Sequence, residues 1–238
     1  MTSIVRNLQG VRDRITTACI AAVRARSDVQ LLAVSKTFGA DAVLQAISDG
    51  QRLFGENYIA EAVEKIASVR ALLPADVPLQ WHCIGPVQSN KTRLVAEHFD
   101  WVQSIDRLKI AERLNEQRPA HLPALQVCIQ VNIDGGANKA GVAPEELGVL
   151  AQQLAALPRL QLRGIMAIPE PATDFVSACA VHARVRSLFD QINASGALPK
   201  AMDTLSIGMT ADLEAAIYAG STMVRVGTAI FGKRAGSN

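Results

Sequence analysis

Residues 30–57 have the sequence QLLAVSKTFGADAVLQAISDGQRLFGEN, and the fold prediction starts from this stretch. Two short apolar runs, QLLAVSK (30–36) and RLFGEN (52–57), flank the helix-like segment DAVLQAISDG. Runs that are apolar almost throughout are typical of parallel strands that are covered on both faces. The stretch therefore predicts a strand, a helix and a second strand, in the order of a βα unit.

The same alternation continues along the chain. Six further apolar runs follow, namely LQWHCIG (79–85), WVQSID (101–106), LQVCIQVNI (125–133), QLRGIMAIP (161–169), TLSIG (204–208) and MVRVGTAIF (223–231). Eight runs in 238 residues give about 30 residues per repeat, the length of a βα unit. We therefore predict the α/β class, with a single (β/α)8 TIM barrel in one domain over residues 1–238 and an additional N-terminal amphipathic helix that closes the ring. A doubly wound open sheet is the alternative fold, although no G-x-G-x-x-G follows the first run.

Composition and charge argue against several classes of protein. The chain is 49% hydrophobic and 19% charged, which argues against disorder. Its net charge is +2 and its basic residues are scattered, so we expect no nucleic-acid partner. No run approaches the ~18 apolar residues of a membrane span, so we expect no membrane partner. The cysteines are widely spaced without a C-x-x-C pair, which favours buried reduced thiols and a cytoplasmic location over disulfides or a zinc site.

Lys36 is the most informative candidate for chemistry. The active site of a (β/α)8 barrel lies at the C-terminal ends of its strands, and Lys36 ends the first run. An amine in the barrel mouth can attack a carbonyl carbon and form a Schiff base. A lysine that ends a strand and faces solvent is the simpler alternative.

A second candidate feature follows the last two strands. Residues 206–210 lie before the helix-like segment ADLEAAIYAG, and Gly227 and Thr228 lie near the end of the eighth run. Phosphate sites in such barrels often form from these two loops and a helix N-terminus, where backbone N–H groups and hydroxyls donate to the anion. Thr210 as a helix cap and Gly227 as a relief of crowding are the simpler interpretations. A Schiff-base lysine beside a phosphate site indicates a phosphorylated aldehyde, either pyridoxal 5′-phosphate (PLP) or a sugar phosphate.

Six longer motifs carry a resemblance to a known family. They are AVSKT (33–37), FGENY (54–58), WHCIGPVQSNK (81–91), LRGIMAIPEP (162–171), LSIGMTADLEAAI (205–217) and STMVRVGTAIFGKR (221–234). With these motifs the chain resembles the pyridoxal phosphate homeostasis protein family (YggS/PROSC). The resemblance implies a fold-type III PLP-binding barrel similar to the N-terminal domain of alanine racemase. It also implies a role in intracellular homeostasis of this vitamin B6 cofactor, by buffering or transferring PLP to PLP-requiring apoenzymes, with little or no catalysis.

The resemblance also implies roles for particular residues. Lys36 would hold PLP as a covalent aldimine, and Asn57 would lie beside the cofactor. Arg225 would lie on the side of the pyridine nitrogen, where it would disfavour protonation of the ring. The residues implied for the phosphate are Ser206, Gly208, Met209, Thr210, Gly227 and Thr228. No catalytic residue and no metal ligand are implied.

Some positions depart from the family pattern or stay open. Cys83 stands where a bulkier apolar residue is common, Thr210 where serine is common, and the loop 134–142 varies. Lys139 is either a second PLP contact, a transfer lysine or, as we expect, a surface lysine. Glu56 is either a general base or the partner of a nearby lysine.

The histidines are predicted to be structural or solvated. His82 lies within an apolar run and is predicted on the barrel wall. The other three, His98, His121 and His182, lie in helix or loop patterns and are predicted to be solvated.

Two enzymes are the alternatives to a carrier. A PLP-dependent racemase needs acid–base groups on both faces of the substrate Cα. In alanine-racemase-like enzymes one of them is a tyrosine of an extra β-domain, and we expect that domain to be absent because the chain stops seven residues after Phe231. Neither Tyr58 nor Tyr218 is obviously placed for the role. A Schiff-base aldolase would also use Lys36 but would hold no PLP.

Overall fold

Eight parallel strands form a closed barrel in the computed structural model, which describes residues 3–136 and 139–232. Each strand pairs with the next along the chain, and the first pairs with the last. The strands are β1 (Gln30–Val34), β2 (Leu53–Glu56), β3 (Gln80–Cys83), β4 (Trp101–Ile105), β5 (Leu125–Val131), β6 (Leu160–Ala167), β7 (Thr204–Ser206) and β8 (Met223–Val226). The predicted (β/α)8 barrel is therefore confirmed.

Nine α-helices surround or cap this barrel within the described ranges. They are α1 (Ser3–Ala21), α2 (Ala40–Ser48), α3 (Ile59–Leu72), α4 (Thr92–His98), α5 (Leu108–Gln117), α6 (Leu147–Ala155), α7 (Phe175–Ala194), α8 (Leu213–Tyr218) and α9 (Thr228–Phe231). None of the helices in the described ranges combines the length and the apolar character that crossing a membrane requires.

The strands are buried on both faces, as their sequences predict. Every residue of β4 is buried, as are the last four residues of β1. One face of each strand fills the barrel and the other packs against helices, so an apolar side chain is favoured at nearly every position. Continuous apolar runs therefore mark these strands better than an alternating pattern would.

The N-terminal helix α1 stands against α8, α9 and α2, where it closes the helical ring. Its apolar stripe, which includes Leu8 and Ile15, is buried. Asn7 Nδ2 donates to the Ile230 carbonyl oxygen at 3.0 Å, which joins α1 to α9. Arg14 donates to both Glu214 carboxylate oxygens, at 2.7 and 2.9 Å. This is the position that the sequence predicts for the additional helix.

The last apolar run differs from a single strand. In MVRVGTAIF (223–231) the strand β8 ends at Val226, and α9 begins two residues later. The N–H groups of Ile230 and Phe231 both donate to the Gly227 carbonyl oxygen at 2.9 Å. Both side chains are buried, so the run is apolar for two different reasons that hydrophobicity alone does not separate.

Candidate functional site

A cavity of about 560 Å³ opens at the C-terminal end of the barrel, within the size range of small-molecule sites. Its walls come from residues that follow β1, β2, β3, β6, β7 and β8. Seven of the predicted site residues line it, namely Lys36, Asn57, Met209, Thr210, Arg225, Gly227 and Thr228. The structure thus brings together side chains that are up to 192 positions apart in the chain.

Lys36 reaches this cavity from a sharp turn after β1. Ser35, before it, is fully buried, and Thr37, after it, has a left-handed backbone with φ 68°. A left-handed conformation is uncommon for a residue other than glycine. Phe38 then stacks on Phe231 at 5.3 Å between ring centroids, so the turn is anchored to α9.

Asn57 presents an unpaired polar atom. Its Oδ1 is buried and has no hydrogen-bond partner within the described ranges, while the residue lines the cavity. Buried side-chain oxygens are nearly always hydrogen-bonded, so an unpaired one at a cavity fits a polar ligand. Gly85 packs so closely against the Asn57 backbone that a Cβ at this position would lie 2.3 Å from the Asn57 carbonyl oxygen. Only glycine fits there.

The loop after β7 has a tightly constrained backbone. Gly208 has φ 93°, and a Cβ there would lie 2.4 Å from the Ala216 Cβ. The Met209 N–H donates to Asp212 Oδ1 at 2.7 Å, so this N–H is already occupied. Arg14 of α1 donates to the Thr210 carbonyl oxygen at 2.9 Å and so holds the loop from the outside.

Backbone N–H groups without a partner in the described residues remain after β7 and after β8, where both loops line the cavity. Within residues 3–136 and 139–232, the N–H groups of Thr210 and Thr228 donate to no protein acceptor. Both residues line the cavity and carry hydroxyls, and Gly227 lies between β8 and α9. Backbone N–H groups and hydroxyls that converge in this way suit an anion.

Arg225 lies at the cavity as a buried cation. It donates to the Ser206 carbonyl oxygen at 2.6 Å, to Ser206 Oγ at 2.7 Å and to the Ala167 carbonyl oxygen at 2.9 Å. No carboxylate lies within ion-pair distance of it in the described part of the chain. Burial lowers the pKa of Arg225 to about 10, so the side chain stays charged at neutral pH. Its positive charge therefore favours an anionic ligand.

Ser206 and Gly208 do not line the cavity. Ser206 lies behind Arg225, and its Oγ donates to Gln103 Oε1 at 2.6 Å. Gln103 Nε2 lies 2.9 Å from His82 Nδ1, which extends the hydrogen-bonded chain into the barrel. Sequence reasoning missed Gln103, although a glutamine within the apolar run WVQSI is a signal that could have found it.

The histidine predictions have mixed outcomes. His82 is fully buried in the barrel wall, as predicted, and burial lowers its pKa to about 3. The prediction that His182 is solvated is wrong, because its Nε2 lies 2.9 Å from Asp212 Oδ2 and the side chain is buried. Burial alone would raise the pKa of Asp212, but hydrogen bonds from His182 and the Met209 N–H hold it below its ordinary value. His182 shares a helical spacing with the buried Val185, which could have revealed its position.

The structure also bears on the open interpretations of Lys139 and Glu56. Lys139 Nζ lies 2.7 Å from Asp134 and 2.8 Å from Glu170, outside the main cavity, which agrees with a surface lysine. Residues 137 and 138 of the variable loop lie outside the described residues. Glu56 is fully buried and pairs with Lys65 at 2.8 Å, as the partner interpretation predicts.

Comparisons with known proteins agree with this architecture. The family model described as alanine racemase, N-terminal domain, matches residues 7–235. The pyridoxal phosphate homeostasis protein of Pseudomonas aeruginosa is 54% identical over 234 residues, which are 98% of this chain and 97% of the relative.

Two solved structures share the barrel. PipY of Synechococcus elongatus PCC7942, with PLP bound, has a TM-score of 0.82 at 34% identity, over 96% of this chain and 100% of PipY. An alanine racemase of Clostridium difficile 630 has a TM-score of 0.72 at 15% identity, over 99% of this chain and 58% of the racemase. The second likeness is a likeness of fold alone.

Proposed function

The chain belongs to the pyridoxal phosphate homeostasis protein family, within the alanine racemase N-terminal domain family, and on this basis we propose that it binds PLP in the barrel mouth. Its function is then to hold PLP for buffering or transfer, with little or no catalysis of its own. The observation that carries the proposal is the convergence of Lys36, Arg225 and unpaired N–H donors on one cavity of about 560 Å³.

The cavity residues fit the chemical groups of PLP. Lys36 supplies the amine that forms an imine with the aldehyde, which releases the carbonyl oxygen as water. Thr210, Gly227 and Thr228 offer donors for the phosphate. Arg225 would lie on the side of the pyridine nitrogen, where its positive charge disfavours protonation of the ring. Asn57 Oδ1 offers an acceptor that has no partner of its own within the described ranges.

The same cavity favours a carrier over a racemase. Lys36 and Arg225 are the only titratable side chains that line it in the described part of the chain. Racemisation needs a second acid–base group on the opposite face of the substrate Cα. Tyr58 and Tyr218 are both exposed and do not line this cavity, which supports the carrier role.

Further parts of the proposal concern the setting of the protein. Residues 1–238 would act as one PLP-binding domain in the cytoplasm, and PLP-requiring apoenzymes would receive the cofactor. Free cysteines in the described residues support a reducing compartment. Ser206 would act from behind the site, because it contacts Arg225 and does not line the cavity.

The experiment that tests the proposal is a PLP titration of the purified protein, followed by visible absorbance and by mass after borohydride reduction. We expect a visible imine band, one reduced pyridoxyl adduct on Lys36 and loss of both in Lys36→Ala. Lys109→Ala, which removes an exposed lysine of α5, is the matched control and keeps the band. A protein that takes up no PLP would contradict the proposal, and rapid racemisation of alanine with a persistent band would contradict the carrier role.

A further inference from the structure

A cluster of three charged residues lies behind the turn that carries Lys36. We call Glu56, Glu61 and Lys65 the Lys65 cluster. The Lys65 side chain is 4% exposed and that of Glu56 is 0% exposed. Lys65 Nζ donates to Glu56 Oε1 at 2.8 Å and to Glu61 Oε1 at 3.1 Å. None of the three residues lines the cavity.

The Lys65 cluster bonds to the residue on each side of Lys36. On the N-terminal side, Ser35 Oγ donates to Glu56 Oε1 at 2.6 Å, and Lys65 Nζ donates to the Ser35 carbonyl oxygen at 2.8 Å. On the C-terminal side, the Thr37 N–H donates to Glu61 Oε1 at 2.8 Å. The backbone around Lys36 is therefore held at two points, whereas its side chain is left for the cavity.

Stability alone does not account for this arrangement. A buried ion pair loses much of its Coulomb attraction to desolvation, and Glu56 Oε2 has no hydrogen-bond partner in the described part of the chain. Burial raises the pKa of Glu56, and Lys65 and Ser35 oppose that rise. The left-handed backbone of Thr37 costs further free energy, and such a conformation persists only where the surrounding structure imposes it.

All three N–H groups of Lys65 are already hydrogen-bonded within the protein. Its ammonium has three N–H groups, and it makes three hydrogen bonds, to Ser35, Glu56 and Glu61. It therefore has no N–H group left for a ligand. Its contacts instead join α3 to the end of β1 and to β2.

We propose that the Lys65 cluster positions Lys36, by holding Ser35 and Thr37 so that the amine is oriented for imine formation before PLP arrives. Glu61 and Lys65 are then positioning residues and touch no cofactor. This inference rests on the proposed function, because it assigns a task to the lysine that holds PLP. An amine that is already oriented loses less conformational freedom on binding, which strengthens affinity.

Glu61 gives the sharpest test, because its side chain is 39% exposed and Thr37 is exposed. Lys65→Met is less suitable, because it leaves Glu56 buried without its cation and is expected to unfold the protein. We expect Glu61→Ala to weaken PLP affinity roughly tenfold, because it removes the carboxylate that accepts from the Thr37 N–H. It also removes one of the three acceptors of Lys65. The Tm of the PLP-free protein should fall only modestly, because the Thr37 N–H can bond water and Lys65 keeps its bonds to Ser35 and Glu56.

Two matched variants separate positioning from other effects. Glu61→Gln keeps an oxygen that accepts from the Thr37 N–H, so we expect affinity close to that of the wild type. Glu64→Ala removes an exposed glutamate from the same helix and should leave affinity unchanged.

Absorbance titration with PLP and borohydride trapping on Lys36 give the readouts, alongside Tm. Affinity of Glu61→Ala within twofold of the wild type would overturn the inference and leave the proposed function intact. A lower Tm with unchanged affinity would also overturn it, because that result describes a merely structural role. A wild-type protein that traps no pyridoxyl group on Lys36 would overturn both.

Discussion

His82 is a buried side chain that makes the stability of the fold depend on pH. Its ring stacks on Trp101 at 4.9 Å between centroids, and its Nδ1 lies 2.9 Å from Gln103 Nε2. Gln103 Oε1 already accepts from Ser206 Oγ, so the amide presents its N–H to the histidine and the neutral ring carries its proton on Nε2. Within the described ranges no carboxylate forms an ion pair with His82, and its Nε2 has no hydrogen-bond partner. Burial lowers the pKa of His82 to about 3.

We predict that this histidine destabilises the fold as the pH falls. The ring takes up a proton at its ordinary pKa of 6.5 in the unfolded chain but only near 3 in the folded chain. Protonation therefore favours unfolding between these values, and stability is complete only above about 6.5. Between pH 7 and pH 5 we expect a loss of about 2 kcal/mol that His82→Gln does not show. Urea unfolding at both pH values measures the difference.

The control for this prediction is His121→Gln, because His121 is exposed. It should show the same pH dependence as the wild type. Parallel stability curves for wild type and His82→Gln would contradict the assignment of the pH effect to His82.

At the scale of an element, α1 ends in a motif that normally uses glycine. The Val23 N–H donates to the Ile20 carbonyl oxygen at 3.1 Å, and the Arg24 N–H donates to that of Cys19 at 2.9 Å. These are the two bonds of a Schellman motif, and Val23 occupies its left-handed position with φ 54°. A β-branched residue is strained there, and Val23 is 94% exposed.

We predict that Val23→Gly stabilises the protein by about 1 kcal/mol, because glycine removes the strain and no buried contact is lost. The midpoint of urea unfolding measures this gain. Ile20→Gly is the matched control, since Ile20 is 73% exposed on the same helix but has helical geometry. It should destabilise by about 0.5 kcal/mol through lower helix propensity. Two substitutions with the same destabilising sign would contradict the strain argument.

The elements also differ in how well the sequence predicts them. β1 and β4 lie within the predicted runs, because burial on both faces leaves an unbroken apolar signature. The run MVRVGTAIF contains β8 and α9, because Ile230 and Phe231 are buried by a helix and not by a strand. Short apolar runs carry no period that distinguishes these cases.

At the scale of the whole molecule, the cavity lies where the first strand of the barrel meets the last. Lys36 follows the first strand, and Arg225 lies on the last, and β1 and β8 pair with each other to close the barrel. A binding site that uses residues from both strands exists only in the folded state. Its binding free energy is therefore added to the stability of the whole barrel.

We predict that PLP raises the stability of the entire barrel and not of one loop. At a PLP concentration of 100 times Kd the gain should be about 2.7 kcal/mol, seen as one cooperative transition at higher temperature. Lys36→Ala should lose most of this gain, whereas Lys109→Ala should keep it. Thermal unfolding with and without PLP is the measurement. An unchanged midpoint at a concentration that saturates the visible band would contradict the prediction.

The sequence by itself determined the barrel, and it also predicted half of the residues that line the cavity. Continuous apolar runs specify strands buried on both faces, and Lys36, Thr210 and Gly227 were found because strand ends meet at one mouth. Only the tertiary structure decided side-chain partners, such as Lys65 with the Ser35 carbonyl oxygen, or Ser206 with Gln103. These pairs depend on strand register and helix packing, which bring together residues that no local pattern connects.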